Sequence, residues 1–95
     1  MGFKVISANT ERETIYNDGG DLAIRHTRGV KGGRGSSATV HRYDGARGRY
    51  NIIGIYNGGE ALLRVPDEVL QTIEGDTELP NVVKKALGIG ATETV

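Results

Sequence analysis

His26 and His41 are the only histidines in the 95-residue chain, and both border its most cationic segment. Two imidazoles beside a Lys or Arg can cleave RNA by general acid–base catalysis. One takes a proton and the other gives one, while the cation holds the charge of the developing phosphorane. Between the two histidines runs Thr27-Arg28-Gly29-Val30-Lys31-Gly32-Gly33-Arg34-Gly35-Ser36, with four glycines and three cations in ten residues. Glycine lets backbone N–H groups approach an anion closely, and the Ser36 and Ser37 hydroxyls add donors. Arg28, Lys31 and Arg34 recur at every third position, so an extended arm of this kind could follow a row of phosphates. Holding phosphate without breaking it is the plainer chemistry of the two.

The charge distribution points the same way. From Arg25 to Arg49 lie seven of the twelve basic residues and one acid, Asp44, about +6 in a chain of zero formal charge. The other seventy residues hold five Lys/Arg and eleven Asp/Glu, and so carry about −6. Clustered cations of this kind focus a field on anionic partners. Arg42, Arg47 and Arg49 bracket the turn Asp44-Gly45-Ala46, and Tyr43 and Tyr50 interleave with them. A tyrosine ring can stack on a base, which fits nucleic acid better than a bare phosphate site. The competing reading gives the arm to solvent and the tyrosines to cross-strand packing.

Other chemistries find little support. With no cysteine, disulfides and thiolate metal sites are excluded. Two histidines leave only carboxylates as further ligands, and Asp67, Glu68, Glu74, Asp76 and Glu78 stand where helix-end roles suffice, so neither a metal nor a cofactor is expected. Gly29 to Ser37 has the outline of a phosphate-binding P-loop, but Arg34 stands where its second glycine belongs and no helix is indicated after it. The start, Met1-Gly2-Phe3-Lys4, opens no apolar run of signal-peptide length and no segment has the composition of a membrane span, so a cytoplasmic protein without membrane contact is the expectation.

These residues must be carried by strands. Ile15-Tyr16-Asn17-Asp18-Gly19-Gly20-Asp21 and Ile55-Tyr56-Asn57-Gly58-Gly59-Glu60 are near copies, and Asp-Gly and Asn-Gly favour type I′ hairpin turns. Shared turn chemistry explains the likeness, as would an internal duplication. Arg12 to Tyr16 then pairs with Asp21 to His26, and Arg49 to Tyr56 with Glu60 to Val65. Phe3 to Ala8 and Ser37 to Tyr43 complete the set. Ile52, Ile53 and Ile55 make the fifth strand the most apolar, and place it at the sheet centre. Pro66, Asp67 and Glu68 open a helix that Gly75 ends, and a second runs from Pro80 to Gly88.

The predicted fold is α+β: an antiparallel meander of five or six strands, then two short helices. Residues 1–88 form the domain, 27–36 its basic arm, and 89–95 a flexible tail. At this length the core is small, and a homo-oligomer would bury more surface. If the third and fourth strands pair symmetrically about the arm, His26 faces Ser37 and His41 faces Leu22. The imidazoles then share a face on the order of 13 Å apart, too far for one phosphate oxygen.

The expectation is therefore a non-enzymatic module for a phosphate-bearing ligand, RNA or DNA first, a phosphorylated small molecule as a variant. Its binding residues would be Arg25, Arg28, Lys31, Arg34, Ser36, Arg42, Tyr43, Arg47, Arg49 and Tyr50. The rival is a small assembly or inhibitor protein docking on a protein partner, its arm meeting acidic surface such as the Asp67–Glu78 region of a second copy.

Overall fold

Glycine-rich turns cut the first two thirds of the chain into six strands, each hydrogen-bonded to its neighbour in sequence. In the computed structural model, which describes residues 2–8, 12–29 and 36–89, these are β1 (Lys4–Ala8), β2 (Glu13–Asn17), β3 (Leu22–Thr27), β4 (Ser37–Asp44), β5 (Arg49–Asn57) and β6 (Glu60–Leu63). They form one antiparallel sheet in the order β1-β2-β3-β4-β5-β6. Two helices follow, α1 (Asp67–Glu74) and α2 (Asn81–Ala86). The chain is an α+β meander, as its turn chemistry predicts.

The turns differ more than their sequences do. At the second, Asn57 pairs with Glu60, and Gly58 and Gly59 both take left-handed φ, +61° and +87°. That is the pair of positive angles a type I′ turn requires. The first turn is not of this type: Asn17 pairs with Ala23, and only Gly19 has positive φ. Its wider loop is closed by a backbone bond from Asp18 N to Leu22 O at 3.3 Å and by side chains. Asp18 Oδ1 accepts from Gly20 N and Leu22 N, and Asn17 Oδ1 accepts from Gly19 N. Such Asx contacts replace the missing turn hydrogen bonds.

Strand alternation sorts side chains onto two faces. Under the helices lie Tyr16, Ile24, Val40 and Gly54 in one cross-strand row and Thr14, His26, Ala38 and Tyr56 in the next. Ile24 and Val40 are fully buried, and so are Val83 of α2 and, nearly, Ile73 of α1. Burial of a side chain of this size is worth about 1.5–3 kcal/mol. Gly54 is needed there because a Cβ would overlap Val65 Cγ1. The Tyr56 hydroxyl, beside it, accepts a hydrogen bond from Val65 N at 3.0 Å. Val65 is thereby held over the sheet, and the chain turns from β6 into α1.

The expectation that β5 forms the sheet centre is not met. β5 is next to the edge and pairs with β6 through only three positions, Ile55, Tyr56 and Asn57. A register shift between Val40 and His41 leaves Ile53 out of step, and Ile52 is 51% exposed on the far face. The apolar run of β5 is thus divided between two faces, while β3 and β4 supply the buried centre.

The helices cross the sheet and come back. Their connection lies against β1, where Asp76 Oδ2 accepts from Phe3 N at 3.0 Å and Glu78 Oε1 meets Lys4 Nζ at 2.8 Å. Lys84 Nζ of α2 donates to Glu74 O at the end of α1, which has no basic residue in its own last turn. α2 ends against the β5–β6 turn: Gly88, at φ +78°, lies so close that a Cβ would sit 2.6 Å from Gly59 O. Ile89, assigned above to the tail, is buried and its N–H donates to Lys84 O, so the folded unit includes it.

Candidate functional site at the cationic end of the sheet

The basic arm leaves the sheet at Thr27 and re-enters at Ser37, and these two residues are direct partners across β3 and β4. Both roots of the arm are therefore fixed side by side. Around them the meander gathers groups that are distant in sequence. Arg28 N donates to Arg12 O at 2.8 Å, placing Arg12 at the same end. Gly58 N donates to Ser36 O at 2.8 Å, and the adjoining Gly59 lies against the backbone of Lys85. The arm end thus carries Arg12, Arg28, Ser36 and Lys85, of which the two arginines and Lys85 are exposed. Lys31 and Arg34 lie outside the described residues.

Sequence reading did not include Arg12 or Lys85. Arg12 was accessible to it in principle, since pairing β2 with β3 puts the residue before Glu13 opposite the one after Thr27. Lys85 had no such signal, because its position depends on how α2 returns to the β5–β6 turn.

The other expected site residues are dispersed. Tyr43 stands six positions on from Ser37 along β4, about 20 Å of strand. Arg42, Arg47 and Arg49 therefore sit at the opposite end from the arm, and the cationic stretch of the sequence forms two clusters. Alternation also parts the tyrosines from the arginines they interleave with. Tyr43 pairs with Tyr50 on the face away from the helices, whereas Arg42 pairs with Asn51 and Arg49 with Asp44 on the helix side. Arg47 is in the turn between, 3.6 Å from Asp44 Oδ2. A shallow cleft of about 340 Å³ is lined there by Arg42, Tyr43, Asp44, Gly45, Asn51 and Ile53. The Asp44 carboxylate inside it works against an anionic guest. Arg25 lies mid-sheet on the helix-free face, 3.3 Å from Glu13 Oε2.

The histidines depart from expectation. His26 pairs with Ala38 and His41 with Ala23, one residue off the symmetric register. A one-residue slip exchanges faces, so the two imidazoles lie on opposite sides of the sheet and cannot reach one scissile phosphate within a chain. His26 is 3% exposed under the helices, and its Nε2 has no hydrogen-bond partner among the described residues. Burial, then the nearby Arg28, lowers its pKa from the usual 6.5. His41 is lowered by its own burial and then by Arg25.

Among the described residues no group of three or more His, Asp or Glu could hold a metal ion, and no helix is long and apolar enough to cross a membrane. Two of the five acids between Asp67 and Glu78 are engaged within the chain, Asp76 with Phe3 and Glu78 with Lys4. Comparison with protein-family models, curated proteins and solved structures yields no match.

Proposed function

We propose that the chain is a non-enzymatic nucleic-acid-binding module that grips RNA or DNA phosphates at the arm end of its sheet. The observation that carries this reading is the convergence of Arg12, Arg28, Ser36 and Lys85 on the roots of the arm. They come from four separate parts of the sequence, and their meeting adds cations to an already basic segment. The two clusters at opposite ends favour an extended polyanion over a small phosphorylated molecule, because only a polymer spans both. Affinity comes from neutralised phosphates, so it falls steeply with salt and shows weak sequence preference.

Fluorescence anisotropy against labelled RNA and DNA, at several salt concentrations, tests this. Replacing Arg28, Lys31 and Arg34 together with alanine removes binding and leaves the far-ultraviolet circular dichroism unchanged. Undiminished affinity in that triple variant rejects the arm as the site.

A further inference from the structure

The two glycine turns are near copies in sequence, yet the structure leaves their asparagines in different states. Asn17 is held through its whole carboxamide: Nδ2 donates to Gly20 O and Leu22 O, and Oδ1 accepts from Gly19 N. Asn51 donates from Nδ2 to Asp44 Oδ2. Asn57 is exposed and makes no side-chain hydrogen bond among the described residues. It is followed by Gly58, at φ +61°, whereas Asn51 and Asn81 are followed by Ile52 and Val82, whose branched side chains crowd the peptide nitrogen. The hairpin that carries Asn57 is also the most weakly tied in the sheet. β5 and β6 pair at three positions with a register shift among them, against five for β2 and β3, and all of β6 is exposed. Elements with few pairs and little burial open at low free-energy cost. Outside the ladder, the Gly58 end of this turn is tied by one hydrogen bond, from Gly58 N to Ser36 O at 2.8 Å.

We propose that Asn57 is a site of slow self-modification, at which the Gly58 nitrogen displaces the side-chain amide and water completes the conversion to aspartate or isoaspartate. The step balances with solvent alone. Gly58 N, having lost its proton to solvent base, bonds to Asn57 Cγ. The Cγ–Nδ2 bond breaks, and Nδ2 takes up a proton and leaves as ammonia. Water then opens the five-membered succinimide, at one carbonyl to give aspartate and at the other to give isoaspartate. Glycine suits the attack because it has no Cβ to crowd its nitrogen and leaves the backbone free to turn towards the ring. In the closed hairpin the Gly58 proton is engaged by Ser36 O and Asn57 is extended in β5, so attack is held back. An opening that breaks this bond frees the nitrogen, and the rate of conversion reads how often the hairpin opens. The product matters where it forms. Asn57 pairs with Ser37 at the root of the arm and with Glu60 across the turn. Aspartate there sets two carboxylates directly opposite each other, which destabilises the pair. Isoaspartate inserts an extra methylene into the backbone and spoils the ladder. The site stands independently of the proposed function.

The test incubates the full chain at neutral pH and body temperature and follows each asparagine by tryptic digestion and fragmentation mass spectrometry. Fragmentation is needed because Asn51 and Asn57 share the peptide Tyr50–Arg64. Asn57 gains the mass of an amide turned to an acid, with isoaspartate accompanying aspartate, while Asn17 and Asn51 stay intact. Conversion is at least about tenfold slower than in the urea-unfolded chain, because only the open hairpin reacts. Gly88→Ala, whose Cβ would sit 2.6 Å from Gly59 O, loosens the turn without altering Asn57 or Gly58 and speeds conversion. Hydrogen exchange of the Gly58 amide in the unaltered chain gives a second reading that needs no variant: conversion rises in step with exchange as urea is added below the unfolding transition. Asn57 intact in the folded chain, over a period that fully converts the unfolded one, overturns the site. Asn17 or Asn51 converted as fast as Asn57 overturns its selection by the structure. Equal rates in the folded and unfolded chain, or conversion that ignores Gly58 exchange, overturn the control by opening. None of these results bears on the proposed function, which the oligonucleotide experiment decides.

Discussion

The two faces of the sheet are built by the same strands and alternate residue by residue, yet they differ in what they hold. Beneath the helices the centre is small and close-fitting: Ala38, Val40, Gly54 and Ile24, with Val65 set into the space where a Gly54 side chain would be. The opposite face carries the bulkier Tyr43, Tyr50 and Ile52, all exposed. Apolar character is shared by both, and so are large rings, since Tyr16 and Tyr56 are buried under the helices. Cover separates the faces: the helices close over one and nothing among the described residues closes over the other. The difference teaches that Tyr43, Tyr50 and Ile52 lie outside the covered core and contribute little to it.

Truncation on each face tests that contrast. Ile24→Ala opens a cavity in the covered layer and should cost about 2–5 kcal/mol in urea unfolding, because the surroundings collapse only partly. Ile52→Ala should cost less than about 1 kcal/mol. Equal costs would mean that the far face is covered in solution. Adding atoms has a smaller effect of the same sign. Gly54→Ala pushes on Val65 and should lower stability by about 1–3 kcal/mol, read from the same unfolding midpoint.

The smallest expected effect is in acid. The pKa of His26 in the folded chain is below its ordinary value, so as pH falls the unfolded chain takes up the proton first. Its contribution to stability is whole above pH ~6.5 and is lost as pH drops from there towards the folded pKa. His41 acts in the same sense from the bare face. His26→Leu should flatten the dependence of stability on pH over this window, measured by urea unfolding from neutral to mildly acidic buffer. A dependence unchanged in that variant would show that His26 is not its source.

Much of the fold was legible in the sequence because its punctuation is strong. Gly19, Gly58, Gly75 and Gly88 mark ends of elements that the structure places within a residue or two. Faces were harder to read. The strand Ser37-Ala38-Thr39-Val40-His41-Arg42-Tyr43 has two interleaved sets, and nothing local says which set meets the helices. The placement of His26 depended on a pairing register, and one residue of slip exchanged buried for exposed. The same alternation defeated the grouping of Tyr43 and Tyr50 with Arg42 and Arg49, which are neighbours along the chain and on opposite sides of the sheet. For the cationic end, the arm was visible and its reinforcements were not. Lys85 reaches that end through the Gly59–Gly88 contact, a tertiary approach that no local pattern encodes.

The hydrogen bond from Phe3 to Asp76 spans 73 positions of sequence, whereas every strand pairs with its immediate neighbour in the chain. The sheet can therefore zip hairpin by hairpin, through short loops everywhere except at the arm between β3 and β4, the kind of topology that folds fast. The clasp between β1 and the interhelical connection closes a loop of 73 positions, so it is expected to form late in folding. A contact made that late lies on the native side of the folding barrier, so weakening Asp76 speeds unfolding and leaves the folding rate almost unchanged. The clasp sets how long a folded molecule lasts once made, with little bearing on how quickly it is made.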